Sequence, residues 1–456
     1  MPDFQGKFQY LAQGGTPAQE GACRVLFDAQ TLTLTPESGA ALAFDLGDLD
    51  AVSAADYEVR LPLFTGRTLV LRQLGKAFDN LAHDLTDAYR NRTVQCMLLE
   101  DMGEIARFTG TFELTGSTVA SGPAEIRLYK SNVAVLPAAA KSFQWRLADI
   151  DGVKLDASAY EVVIQCGDDR LKVSRLAKRT EEFAAKLREA MNALATQTAQ
   201  ALHRMLPFLD PDQLRSCAGL LREGQSAPLA QLGAIHKQIP VALAANAVDK
   251  DLKPYYDVLV TRAAAGMGYA GFKLIRADDE EAAGGAAGAR ESDADSGNGG
   301  ESAEALESDA PDADAGAPDT LYWFLFPLAA KAGGSTPANV VAWEASSRSG
   351  RATYFFRLVD AARAAQLADP ARAAATVDAA IRRLNRVLAM LNFRRRPIYL
   401  SDDELAMDPR FHRYAIAARR LPEVREVRAS FLGRALHKSP EAWQAQVDSI
   451  LNKAGA

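Results

Sequence analysis

Residues 4 to 90 of this 456-residue chain recur, with small insertions, between residues 106 and 190. A repeat near 100 residues is too long for a solenoid unit and restricts the N-terminal half to two copies of one domain. Phe44, Leu46, Asp48, Leu49 and Val52 fall on Trp145, Leu147, Asp149, Ile150 and Val153, and Tyr57, Glu58 and Val59 fall on Tyr160, Glu161 and Val162. Upstream, FQGKFQY from Phe4 answers FTGTFEL from Phe108, and Val25, Phe27, Leu32 and Leu34 answer Ile126, Leu128, Val133 and Val135. Downstream, Leu69, Leu71, Leu74, Leu81 and Leu85 answer Leu171, Val173, Leu176, Phe183 and Leu187.

Within each copy the apolar period changes. Val25 and Phe27, Leu32 and Leu34, Tyr57 to Leu61, and Leu69 and Leu71 alternate as half-buried antiparallel strands do. Leu74, Phe78, Leu81 and Leu85 then follow the one-faced spacing of an amphipathic helix. Each copy is therefore expected to be six or seven short strands closed by one helix. In the second copy Thr180 is the expected N-cap, with Glu181 and Glu182 in the first turn.

This order resembles the pleckstrin homology (PH) superfold, here as a tandem pair over about residues 4 to 90 and 106 to 190. The resemblance rests on strand and helix order. It implies an antiparallel β-barrel or sandwich closed by a C-terminal helix, used for lipid headgroups or for protein recognition. The first hairpin offers only Lys7 and Arg24 in copy one and no basic residue between Phe108 and Glu125 in copy two, so phosphoinositide binding is not expected.

In the shared motif L-x-D-[LI]-D-x-V, Asp48 and Asp50, with Asp149 and Asp151, read as turn and edge residues. A cation site at Asp48 and Asp50 is open but not required by spacing or ligand count. Tyr57 and Tyr160 read as core-facing rings beside a strand.

Beyond the repeats, residues 196 to 250 read as a helical linker domain. Asp210 is the expected N-cap before Pro211, and Gly224 the stop. From 251 to 456 the chain reads as an α+β domain. YYDVLVTR, YAGFKLIR, LYWFLFPL, VVAWEASS and ATYFFRLV are five strand-like runs, and helices trail from about Asp360, with Ile381, Leu384, Leu388 and Leu391 on one face. The expected domains are thus 1–92, 104–195, 196–250 and 251–456, and the chain as a whole is of α+β class.

Charge is unevenly placed. The net charge of −6 hides an insertion at 277–319 with fourteen acidic residues against Arg290 and one leucine, Leu306, so it is expected to be disordered. From Arg351 onward nineteen basic residues face eleven acidic ones, with clusters at Arg382, Arg383, Arg386 and at Arg394, Arg395, Arg396. These six arginines are the expected surface for an anionic partner: nucleic acid, anionic lipid or an acidic protein.

The signals for catalysis are weak. Gly266-x-Gly268-x-x-Gly271 follows a strand-like run, but FKLIR rather than a helix comes after it, so no phosphate-binding helix N-terminus is expected. The five histidines lack ligand spacing, and the four cysteines Cys23, Cys96, Cys166 and Cys217 are too scattered for a zinc site or disulfide scaffold. No cofactor or metal is expected.

The N-terminus lacks a signal-peptide pattern, and the longest apolar run, LYWFLFPLAA, is about half a membrane span. The expectation is a cytoplasmic, bacterial-type, non-enzymatic adaptor. Its tandem PH-like domains would bind a protein partner, and its acidic insertion would mask a basic C-terminal surface. The alternative is a regulator that uses the basic C-terminal helices on anionic membrane or nucleic acid.

Overall fold

The computed structural model describes residues 3–100, 102–274, 320–331, 333–346, 351–408 and 411–454, so the acidic insertion lies outside the described residues. The chain divides into two compact units, Met1–Ala193 with Asp402–Pro422, and Leu194–Ser401 with Glu423–Ala456.

In the first unit seven strands form one antiparallel sheet: β1 (Asp3–Leu11), β2 (Pro17–Phe27), β3 (Thr31–Pro36), β4 (Leu42–Asp45), β5 (Ser53–Ala55), β6 (Glu58–Pro62) and β7 (Thr68–Arg72). Their order is β4-β3-β2-β1-β7-β6-β5. The alternating residues meet in register on one face, Val25 opposite Leu34, Val59 opposite Leu71 and Leu61 opposite Leu69. All six of these side chains are fully buried, each contributing on the order of 2 kcal/mol of apolar burial.

The helix α1 (Phe78–Cys96) lays Leu81, Leu85 and Tyr89 on that face. Its Tyr89 hydroxyl donates to the Asp50 carbonyl at 3.0 Å, which ties the helix to the segment between the two sheet ends.

The second copy repeats this plan. β8 (Glu104–Thr115), β9 (Ala120–Tyr129), β10 (Asn132–Pro137), β11 (Phe143–Arg146), β12 (Gly152–Asp156), β13 (Glu161–Cys166) and β14 (Asp169–Ser174) run in the order β11-β10-β9-β8-β14-β13-β12. The helix α2 (Thr180–Met205) begins after them. Strand order and closing helix agree with the PH-like expectation in both copies. The expected barrel closure does not occur, because each sheet ends at two short strands, β4 and β5 or β11 and β12, that are not neighbours in its order.

One detail explains the F-x-G-x-F stretches. Where β1 crosses the end of β7, a Cβ on Gly6 would stand 2.8 Å from the Arg72 carbonyl oxygen and 2.9 Å from Leu74. On Gly110 it would stand 2.6 Å from the Ser174 carbonyl oxygen and 2.7 Å from Leu176. In both copies the residue between, Gln73 or Arg175, takes φ 55° and swings its leucine over the glycine.

Two readings of the repeats are corrected. Tyr57 and Tyr160 are 75% and 65% exposed at hairpin tips, because left-handed backbone there (φ 58° and 52°) turns each ring off the core face. Thr180 is not an N-cap: a short 3-10 turn, Ala177–Arg179, leads into α2, and the Thr180 hydroxyl donates back to the Ala177 carbonyl.

The second unit is built on a six-stranded antiparallel sheet in sequential order, β15 (Ser226–Pro228), β16 (Tyr269–Leu274), β17 (Thr320–Ala329), β18 (Pro337–Ala345), β19 (Ala352–Arg357) and β20 (Phe431–Leu436). Phe324, Phe326 and Leu328 of β17 join a core with α3 (Pro211–Leu220), α4 (Leu229–Ile235), α5 (Ile239–Ala247) and α6 (Lys253–Arg262). Trp323, on the other face, donates from its indole N–H to Asn385 at 3.0 Å and packs on Phe393. Burial on both faces is why LYWFLFPL is continuously apolar rather than alternating.

Asp210 caps α3 in a full capping box with Gln213, as expected. YYDVLVTR, expected as a strand, is α6: Leu252, Tyr255 and Leu259 are buried at helical spacing and Pro254 starts the turn. Conversely β20, within a stretch expected to be helical, is a strand paired to β19. Among the described residues no helix is long and apolar enough to cross a membrane.

Candidate functional site

The motif aspartates of copy one are answered from far along the chain. Helix His412–Arg420, part of the first unit, packs against α1 and the 3-10 turn Leu46–Asp48. Its Ile416 is fully buried, and its Arg419 donates to Asp48 at 3.0 Å. The neighbouring Arg420 stands 3.2 Å from Asp50 as an ion pair. Both aspartates remain partly exposed, so each pair contributes about 1 kcal/mol or less. Shape dominates, since a Cβ on Gly47 would come within 3.0 Å of Ile416 and 2.8 Å of Cys96.

The corresponding residue of copy two is Ala148. The turn itself is fixed by Asp45, which accepts from the Gly47 N–H at 2.7 Å and takes a two-pronged bond from Arg92 at 3.0 and 2.8 Å. Arg92 is 3% exposed; burial is the largest single influence and works against its charge, but the hydrogen bond and charge of Asp45, with Cys96 and Asp48, together raise its pKa. Burial also pushes the Cys96 thiol up to about 12.

The six expected arginines do not stand alike. On helix Pro370–Met390, Arg382 pairs with Asp378 at 2.8 Å, while Arg383 and Arg386 line a cleft. Arg394 is buried at 6% exposure, and its Nε and Nη2 have no hydrogen-bond partner among the described residues. Arg395 lies 5.9 Å from the Tyr354 ring, and Arg396 opens the short helix Arg396–Tyr399.

The cleft was not legible in the arginine runs, because it also takes Arg357 from the end of β19 and Glu423 and Glu426 from helix Pro422–Ser430. Its volume is about 130 Å3, with an apolar lining that includes Phe356, Leu384 and Val427. Residues 380, 383, 384 and 387 of one helix and 423, 426, 427 and 430 of the other make the two facing rows, each at helical spacing.

The glycine motif is packed most tightly at its last position, with Gly268 also close to Leu229, where a Cβ would lie at 3.0 Å. Gly271, on β16, faces Trp323 across the sheet, where a Cβ would lie 2.3 Å from the indole. Gly266 and Gly268 line an apolar groove with Val241, Val260 and Phe326, and a strand follows them as expected. Among the described residues no group of three or more His, Cys, Asp or Glu is placed to hold a metal ion.

No protein-family model and no curated protein matches the chain. Among solved structures it is similar to the linker and DH/PH domains of p115-RhoGEF, with 10% identity over 26% of this chain and 45% of that one, at a TM-score of 0.18. It is also similar to the Spt16D–Pob3N heterodimer, with 15% identity over 37% of this chain and 84% of that one, at a TM-score of 0.16. The chain thus spans less than half the length of the first. At these TM-scores neither likeness carries weight for fold or function.

Proposed function

We propose that the chain is a non-enzymatic adaptor that binds protein partners through its PH-like copies. The observation that supports this reading is the helix His412–Arg420 held beside α1, with one buried isoleucine and two arginine–aspartate pairs. A helix laid in a groove with an apolar anchor and charged flanks is a recurring mode of protein recognition, here realised within one chain. Tyr57 and Tyr160 mark where a partner would touch: exposed tyrosines are common binding hot spots, and both copies hold one at a hairpin tip.

Replacing both by asparagine, which tolerates left-handed backbone, is expected to leave the melting temperature unchanged within a few degrees. In quantitative affinity purification from the native host, a partner retained by the wild-type chain is expected to be lost. Equal recovery with the double variant, or no protein retained above the tag control, would sink the reading.

A second reading is favoured by the shared cleft of Arg357, Arg383 and Arg386. In it the C-terminal unit binds an anionic surface, and the insertion of net charge −13 competes for it. Removing residues 278–318 is then expected to raise binding to anionic liposomes or RNA at low salt, and screening should abolish the gain. Negligible binding by both forms would exclude it.

A further inference from the structure

The cleft between helices Pro370–Met390 and Pro422–Ser430 is divided by charge. One helix contributes Arg383 and Arg386, the strand end adds Arg357, and the other helix contributes Glu423 and Glu426. The closest approach across it is Arg383 to Glu426, at 3.8 Å and with both side chains well exposed, a pair of little strength. Among the described residues Arg357 and Arg386 have no carboxylate partner. The cleft, about 130 Å3 in all, is lined between these charges by Val341, Leu384 and Val427. A cavity of about 150 Å3 is known to admit benzene, so this one accepts a single apolar side chain.

We propose that this cleft binds a short acidic segment of a partner protein. One apolar side chain fills the cavity, and a flanking carboxylate meets Arg357 and Arg386. A guanidinium takes a carboxylate with two parallel hydrogen bonds, so the arginine side fixes the acidic end. Glu423 repels a second carboxylate and accepts a peptide N–H, which fixes the direction of the segment. Nucleic acid fits less well: the two glutamates oppose a phosphate track, and Phe356, at 1% exposure, offers no stacking face. The inference rests on the adaptor reading above and names the chemistry of its partner.

The test is fluorescence anisotropy of the full chain with a fluorescein-labelled peptide Ser-Glu-Leu-Glu-Gly. Two control peptides carry Gln for both Glu, or Ser for Leu. A chain lacking residues 277–319 is measured in parallel, since the insertion has the same acidic chemistry. Binding by either form is expected, weakened about tenfold or more by Arg386→Glu and by each control peptide, and strengthened by Glu423→Gln. Arg357→Leu serves as a second variant, and thermal melts confirm that each is folded.

No binding by either form, or indifference to Arg386→Glu, overturns the proposal. So does an Arg386-dependent interaction with a labelled oligo-dT that replaces peptide binding. Peptide binding without any native-host partner would instead remove the adaptor reading and leave the cleft standing. A native partner retained in full by Arg386→Glu would do the reverse.

Discussion

Gly271→Ala is expected to destabilise the second unit by about 3 kcal/mol, lowering its melting temperature by roughly 6–12 °C in calorimetry of the whole chain. The added methyl would lie 2.3 Å from the Trp323 ring. That ring has nowhere to go: it is fully buried, bonded to Asn385, whose amide in turn donates to the Gly224 carbonyl at 2.8 Å, and packed on Phe393. Gly266→Ala is the control from the same motif. Its Cβ meets nothing within 4 Å, and only its φ of 76° opposes the change, costing about 1 kcal/mol. Equal melting of the two variants would contradict the packing of Trp323 on Gly271.

Asp45→Ala is expected to cost the first unit about 3–5 kcal/mol, because it leaves the Arg92 guanidinium buried without its counter-charge. It also frees the Gly47 N–H that shapes the turn under Ile416. Changing both residues, Asp45→Leu with Arg92→Met, is expected to recover most of the loss, since two apolar groups of similar volume need no compensation. Calorimetry distinguishes the cases. A double variant as unstable as Asp45→Ala would assign the effect to the turn rather than to the buried charge.

The repeats were legible because duplication writes the strand pattern twice, and Val59, Leu61, Leu69 and Leu71 alternate as a half-buried sheet must. The tips were not legible: nothing in the spacing of Tyr57 reveals its left-handed backbone, so an aromatic in a strand-rich stretch reads as core. α6 was misread because Tyr255, Val258 and Val260 favour strands individually, while the decisive feature is the four-residue interval from Tyr255 to Leu259. The partners of Asp48 and Asp50 lay out of reach of any local pattern, 371 residues from the first of them. The arginine runs pointed to a basic surface without a cleft in it: Arg383 and Arg386 line one together with Arg357, which sits in an apolar strand where no cluster announces it.

Helix His412–Arg420 gives the chain a timetable. The other parts of the first unit have been synthesised by residue 193, yet the piece that covers Gly47 and pairs with Asp48 and Asp50 arrives only with residues 402–422. About 306 residues separate the end of α1 from the start of that piece, and at roughly 5–20 residues per second this is a wait of roughly 15 to 60 s on the ribosome. A nascent chain in that interval is expected to leave Gly47, Asp48 and Asp50 uncovered, where the full chain covers them with the helix. Whatever factor attends its synthesis meets a surface that later experiments on the mature protein will never see.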